Sequence, residues 1–342
     1  MSCSVHRAPQ YMRWYHFLFR QFAEDSGDNY SLTLFKDAMN LPFPTAAHCS
    51  RAGQFSVRAT VAAGLRSYSP DLYNTVLAWR ARRRCKRLHG PLAEKVRATL
   101  YGDGPIEVLN GPFKGLKFVG ESYLGPIIPK WVGTYESQLH PIIQLIIDSR
   151  DYRTIINLGA AEGYYSVGLA WRLPNAAVYS YDIDASARRT QHWVAHTNGV
   201  NNLSIHGRCS HEELARRINE RTLVISDIEG SEYELLDPSR CPALARADIL
   251  LEVHDEPSCR WCLPEPDAEE LNVLVEQGRL KMVSRFSSSH CIETIRENEP
   301  DPSSCEILSS VLLRSDVQAA LSEDRPILMT WLWMKVKSVH SS

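Results

Sequence analysis

The stretch Thr154-Ile155-Ile156-Asn157-Leu158-Gly159-Ala160-Ala161-Glu162-Gly163-Tyr164-Tyr165-Ser166 decides the fold. A short apolar run reaches a glycine, passes through small residues to a second glycine, and enters an amphipathic segment. That is the pattern of strand, tight turn and helix. Neither glycine carries a Cβ, so the backbone at Gly159 can approach a ligand and the helix at Gly163 can pack close to the strand. The helix N-terminus then offers backbone N–H groups to polar or anionic groups. A plain strand-to-helix turn with no ligand accounts for the glycines equally well.

The residues that follow favour a ligand. Nineteen residues after Gly163, the run Ala177-Val178-Tyr179-Ser180-Tyr181 ends in Asp182-Ile183-Asp184, an acidic tip on a second strand. A carboxylate on the strand next to the first is where a ribose diol is held by two charge-assisted hydrogen bonds. This pattern suits an adenosine-containing cofactor. A dinucleotide needs a middle glycine for its pyrophosphate, and here that position is Ala161, followed by the anionic Glu162. A carboxylate there repels pyrophosphate and attracts an amino group, which fits S-adenosylmethionine better than NAD.

The order Asn157 to Gly163, then Asp182, then Asp227-Ile228-Glu229-Gly230-Ser231-Glu232, then Glu252-Val253-His254 resembles the FkbM-like family of S-adenosylmethionine-dependent methyltransferases. The resemblance spans residues 105–337, by motif order, and its most specific piece is the Asp-x-Glu-Gly-x-Glu string. It implies a Rossmann-like methyltransferase fold and methylation of a hydroxyl on a sugar, glycan or secondary metabolite. The family's usual acid at the head of the glycine turn is Asn157 here, an amide that still accepts a hydrogen bond.

Composition bounds the rest. The chain has 342 residues, 44% hydrophobic and 23% charged, the make-up of a globular protein. No apolar run approaches the roughly 20 residues of a membrane span. The net charge of −2 hides an asymmetry: residues 1–100 carry 15 Lys and Arg against 6 Asp and Glu, and the remainder 23 against 34. The acidic remainder argues against a nucleic-acid partner. Nine cysteines without a convincing signal peptide suggest reduced thiols in a cytoplasmic enzyme. Cys259-x-x-Cys262 invites zinc only if His254, His290 or Cys291 completes four ligands; ordinary thiols beside a loop are the simpler reading.

Three regions follow along the chain. Residues 1–70 are poorly legible, aromatic and basic near Tyr11 to Arg20, acid-poor between Asp37 and Asp71, and read as a disordered extension. Residues 71–104 read as a basic helix in which Arg80, Arg82, Arg83, Arg84, Lys86 and Arg87 present a solvated face or one attracted to an anionic surface. Residues 105–337 read as the catalytic domain. Within it, 106–119 carries a hairpin signal. Lys130, Tyr135 and Glu136 precede the first core strand, where the resemblance puts residues that line the cofactor pocket; Glu136 reads equally as a helix-start acid. Strands are expected at 154–158, 177–182, 203–206, 222–227, 248–254, 281–286 and 328–336. The helices between them start at Ser210 and Asp267, the latter ending at Gly278, and one ends at Asn198-Gly199. This alternation predicts an α/β fold, a mostly parallel seven-stranded sheet with helices on both faces and a reversed edge strand. Ligands sit at the carboxyl ends of such strands.

The chemistry is expected there. Methyl transfer to a hydroxyl needs in-line placement and something to remove the proton. His254 has the ordinary pKa for a base, with Asp227 to orient it. Alternatively His254 and Asp227 join Asp255 and His290 around a divalent ion, magnesium rather than zinc if oxygen dominates. Glu232 also reads as a helix-capping acid, and His254 as a satisfied core residue. The cofactor-binding set is Asn157, Gly159, Glu162, Gly163, Asp182 and Tyr135. The Asp227 run lacks the Pro-Pro-aromatic turn of base-amino methyltransferases, which favours a hydroxyl acceptor. Two rivals stand beside this reading, an NAD-dependent oxidoreductase and a non-catalytic cofactor-binding module. The oligomeric state is not readable from the chain.

Overall fold

The computed structural model describes residues 70–122, 125–255 and 267–337. The expectations for residues 1–69 and for Cys259 and Cys262 lie outside these residues. The described residues begin with a long helix, α1 (Pro70–Leu100), followed by α2 (Ile128–Val132) and α3 (His140–Ser149). The core then alternates β1 (Thr154–Leu158), α4 (Tyr164–Arg172), β2 (Ala177–Tyr181), α5 (Ala185–Thr197), β3 (Leu203–His206), α6 (His211–Arg217), β4 (Thr222–Ser226), α7 (Glu232–Leu235) and β5 (Ala247–Val253). It closes with α8 (Ala268–Phe286), β6 (His290–Arg296), α9 (Glu306–Ser309), α10 (Arg314–Leu321) and β7 (Thr330–Val336). Among the described residues no helix is long and apolar enough to cross a membrane.

The seven strands form one sheet in the order β3-β2-β1-β4-β5-β7-β6. Strands β1 to β5 pair in parallel, and β7 runs antiparallel to both β5 and β6. This is the Rossmann-like methyltransferase sheet, with the reversed strand β7 inserted beside the outermost strand β6. Successive residues point to opposite faces, which splits the core in two. Ile155, Leu223, Ile225 and Leu250 face the side covered by α3, α4, α5 and α10. Ile156, Val224, Ile249 and Leu251 face the side covered by α6 and α8. The central strands are therefore apolar on both faces, as a parallel sheet with two helical layers requires.

Two caps fall where the sequence puts them: Ser210 accepts from Glu213 N–H and Asp267 from Glu270 N–H; Asp184, not expected as a cap, accepts from Ser186 and Ala187 N–H. Three expectations are corrected. Residues 281–286 are the last turns of α8 rather than a strand, and the sixth strand begins at His290. The buried positions Leu271, Val275, Gly278, Met282 and Phe286 keep a helical spacing of three or four straight through the glycine. Gly278 does not stop the helix: a Cβ there would lie 1.9 Å from the Tyr233 hydroxyl, so the glycine serves close packing. The 106–119 segment is also reduced, from a hairpin of strands to a single antiparallel bridge, Glu107 with Lys117.

Candidate functional site

The turn after β1 is held by its own backbone. Gly159 sits at φ +75°, and a Cβ there would lie 1.7 Å from the Asp227 carbonyl oxygen, so the turns after β1 and β4 meet only because this residue is glycine. The N–H groups of Gly159 and Ala160 donate to the Tyr181 carbonyl, and Gly163 N–H donates to Ala160. Ala161 N–H donates to Asp182 Oδ2 at 2.8 Å. Four N–H groups of the turn itself are thus consumed inside the fold; the donors expected at the N-terminus of α4 are not among them.

Asp182 holds the turn in place. Its other oxygen accepts from Asp184 N–H at 2.8 Å, and burial pushes the carboxyl up to about 6, partly offset by the Asp184 and Ala161 N–H groups. Each carboxylate oxygen accepts two hydrogen bonds, so one N–H on each leaves acceptor capacity for a diol. Glu162 is fully buried and paired with Lys130, itself buried, and accepts from Ser122 Oγ at 3.0 Å. Its charge is matched within the fold, so the argument that Glu162 repels pyrophosphate fails.

A cleft opens between this turn and the segments before β1 and after β4. Tyr135, Asn157, Gly159, Ala161, Glu162 and Asp227 line it together with Lys130, Tyr164, Tyr165 and Trp331. Of the expected cofactor set, only Gly163 and Asp182 stand outside this lining, and Asp182 touches it through Ala161. The Asn157 side chain is buried and its Oδ1 has no hydrogen-bond partner. Tyr135 stands edge-on to Tyr164, with Lys130 Nζ 4.7 Å from its ring centroid. An orphaned buried acceptor and a carboxylate at the end of β2 together suit an adenosyl group.

The inner wall is acidic. Glu252 and His254 lie two residues apart at the end of β5, so both project to the same side, and Asp227 follows β4 next to them. His254 Nδ1 lies 3.0 Å from Glu232 Oε1, and Nε2 lies 3.5 Å from Asp227 Oδ1 and 3.8 Å from both Glu229 and Glu252 Oε2. Burial alone would depress the imidazole, but the charge and hydrogen bond of Glu232, with Glu229 and Glu252, push it up to about 10. The carboxylates around the ring therefore favour its protonated form in the metal-free site. The Asp227 carboxyl is raised to about 6 by burial, opposed by His254 and reinforced by Glu229. Asp227 is 31% exposed to the cleft while the His254 side chain is 2% exposed. Asp227 is thus the more exposed of the two toward the cleft, and His254 stands behind it.

Glu232 does not cap α7. It accepts from Ile228 N–H at 2.8 Å and fixes the His254 ring. Glu136 does precede a helix, as the N-cap residue of the 3-10 turn Ser137–Leu139 that leads into α3, but its carboxylate caps nothing there: the residue sits at φ 47°, with its carboxylate on Tyr165 Oη at 2.5 Å and Arg325 Nη2 at 2.6 Å. Arg325 also pairs with Glu252 Oε1 and Glu323. Sequence reading missed Arg325 and Glu323, which lie in the loop before β7 among other charged residues and carry no local signal. The expected metal set is corrected as well. His290 begins β6 with Nε2 on the Ala247 carbonyl at 2.9 Å, at the opposite end of the seven-residue β5 from Glu252, about 20 Å away. Neither His290 nor Cys291 therefore reaches His254 for zinc. Asp255 is buried one residue out of phase with Glu252 and His254, outside the group of Asp227, Glu252 and His254 whose ligand atoms lie within 4.8 Å of one another.

No family model matches the chain, and no curated protein matches it. Among solved structures, the chain is similar to the O-methyltransferase TomG from Streptomyces achromogenes, described in complex with SAM, at 13% identity. That match covers 74% of this chain and 98% of that one, with a TM-score of 0.37. It is also similar to an rRNA methylase from Streptococcus thermophilus at 12% identity, covering 57% of this chain and 96% of that one, with a TM-score of 0.35. Likeness of this size leaves the chemistry to be read from this chain's own residues.

Proposed function

We propose that the protein is an S-adenosylmethionine-dependent methyltransferase that methylates a hydroxyl of a sugar, glycan or secondary metabolite. The observation that carries the reading is one cleft with Asp182 behind the glycine turn and Asp227 on the facing wall. Asp182 and the Asn157 amide would hold the cofactor's ribose and polar groups, and Tyr135 would close over it. When bound, the cofactor supplies an electrophilic methyl group. Asp227 accepts the hydroxyl's hydrogen bond and then its proton, which places the oxygen and raises its nucleophilicity. His254, fixed by Glu232, orients Asp227 and stabilises its charge. The FkbM-like assignment is supported by the Asp227 to Glu232 string, whose three acids all take part in this wall.

The test is transfer of labelled methyl to a panel of hydroxylated glycans and natural products. Asp227→Asn is expected to lower turnover at least 100-fold while S-adenosylhomocysteine still binds. Unchanged turnover in that variant would remove Asp227 from the chemistry. A retained nicotinamide-dependent oxidation with no transfer would support the oxidoreductase rival instead.

A further inference from the structure

We propose that the inner wall of the cleft is a site for one divalent transition-metal ion of the manganese type, held by Asp227 Oδ1, Glu252 Oε2 and His254 Nε2. The inference deepens the methyltransferase reading and rests on it for the ion's role. Three observations carry it. First, Nε2 lies 3.5 Å from Asp227 Oδ1 and 3.8 Å from Glu252 Oε2, separations that suit atoms each about 2 Å from a shared ion. Second, Glu252 is 1% exposed, with Oε1 held by Arg325 and Oε2 turned toward His254 without a hydrogen-bond partner. A buried acceptor of this kind is costly unless something meets it. Third, Glu232 takes His254 Nδ1 and is anchored on Ile228 N–H, which aims Nε2 at the two carboxylates. A carboxylate behind a ligating imidazole is how such rings are oriented toward metals.

The donor set names the ion class. An imidazole nitrogen with carboxylates suits manganese, iron, cobalt or zinc better than magnesium or calcium, which favour oxygen alone. Of the magnesium set expected at Asp227, His254, Asp255 and His290, the first two remain, Glu252 replaces the others, and the ion class changes. The exposed side of Asp227 leaves coordination positions open toward the cleft, with Glu229 Oε2 3.8 Å from the same nitrogen. An acceptor hydroxyl entering there would ligate the ion, which lowers the hydroxyl's pKa. The ion displaces the proton from His254 Nε2, and Asp227 ligates through Oδ1 while its Oδ2 accepts the proton that the hydroxyl releases.

The competing account is a closed network of ion pairs with no exchangeable metal. Titration of the full chain with Mn2+, following free Mn2+ by electron paramagnetic resonance, separates the two. One tight Mn2+ per chain is expected, displaced poorly by Mg2+. Glu252→Gln and His254→Gln are each expected to weaken binding at least tenfold, while His290→Gln leaves it unchanged. S-adenosylhomocysteine binding, measured on every sample, reports folding and tests the cofactor reading separately. No stoichiometric Mn2+ uptake by the wild-type chain would overturn the site, as would wild-type affinity in both variants. Cofactor binding without metal would sink the metal site alone; metal without cofactor binding would sink only the methyltransferase reading.

Discussion

Asp182 is where the account is most exposed to a single substitution. Its carboxylate fixes the glycine turn through Ala161 N–H and the start of α5 through Asp184 N–H, and its remaining lone pairs are the proposed ribose acceptors. Asp182→Asn keeps one acceptor oxygen, so S-adenosylhomocysteine affinity is expected to fall at least tenfold by calorimetry, with the fold retained. The pH dependence follows from the carboxyl raised by burial to about 6. Cofactor affinity needs the ionised form, so it is present above about pH 6 and lost as pH falls through it. Folding has the opposite sign: a raised carboxyl contributes stability that is full below its ordinary value and is lost as pH rises through about 6. Asp182 and Gly159 were legible because their roles are local, a strand end and a positive φ. The pairing of Glu162 with Lys130 was not legible, since Lys130 reaches it from 32 residues away. The surroundings of His254 were hidden for a related reason. An ordinary pKa describes a side chain in water, and the surrounding carboxylates come from two strands and a loop.

Among the elements, α8 shows what sequence punctuation cannot settle. A glycine near the end of an apolar pattern reads as a stop, yet Gly278 is buried mid-helix to admit the Tyr233 hydroxyl, which donates to the His254 carbonyl at 2.5 Å. Gly278→Ala is therefore expected to destabilise the fold despite alanine's higher helix propensity, by about 2 kcal/mol on the scale of an overpacked core. In a denaturant-midpoint cycle, Gly278→Ala with Tyr233→Phe should lose less than the sum of the two single changes, because removing the hydroxyl relieves part of the clash. Strict additivity would mean that the two residues do not meet. The same misreading displaced β6: once 281–286 were spent as a strand, the alternating run from His290 had no place in the sheet. The elements before it carried apolar strand runs or cap residues at their ends and were legible to within a residue or two.

Over the whole molecule, the alternation of apolar runs and capped helices was enough to give a parallel sheet with two helical layers, because each layer is written in local periodicity. The position of β7 between β5 and β6 was not, since strand order is a long-range property. Arg325 belongs to the same class, joining Glu136 before β1 to Glu252 on β5 and Glu323 beside it. Every residue assigned to the site lies between Lys130 and Arg325, so a chain starting at Pro70 is expected to bind S-adenosylhomocysteine as tightly as the full chain. A loss beyond tenfold would make residues 1–69 part of the site. The most direct measurement is calorimetric titration of the full chain with S-adenosylhomocysteine, with NAD as the comparison ligand. The account predicts one S-adenosylhomocysteine per chain with micromolar affinity, weakened by Asp182→Asn, and no measurable heat from NAD. Binding of NAD in place of S-adenosylhomocysteine would contradict it.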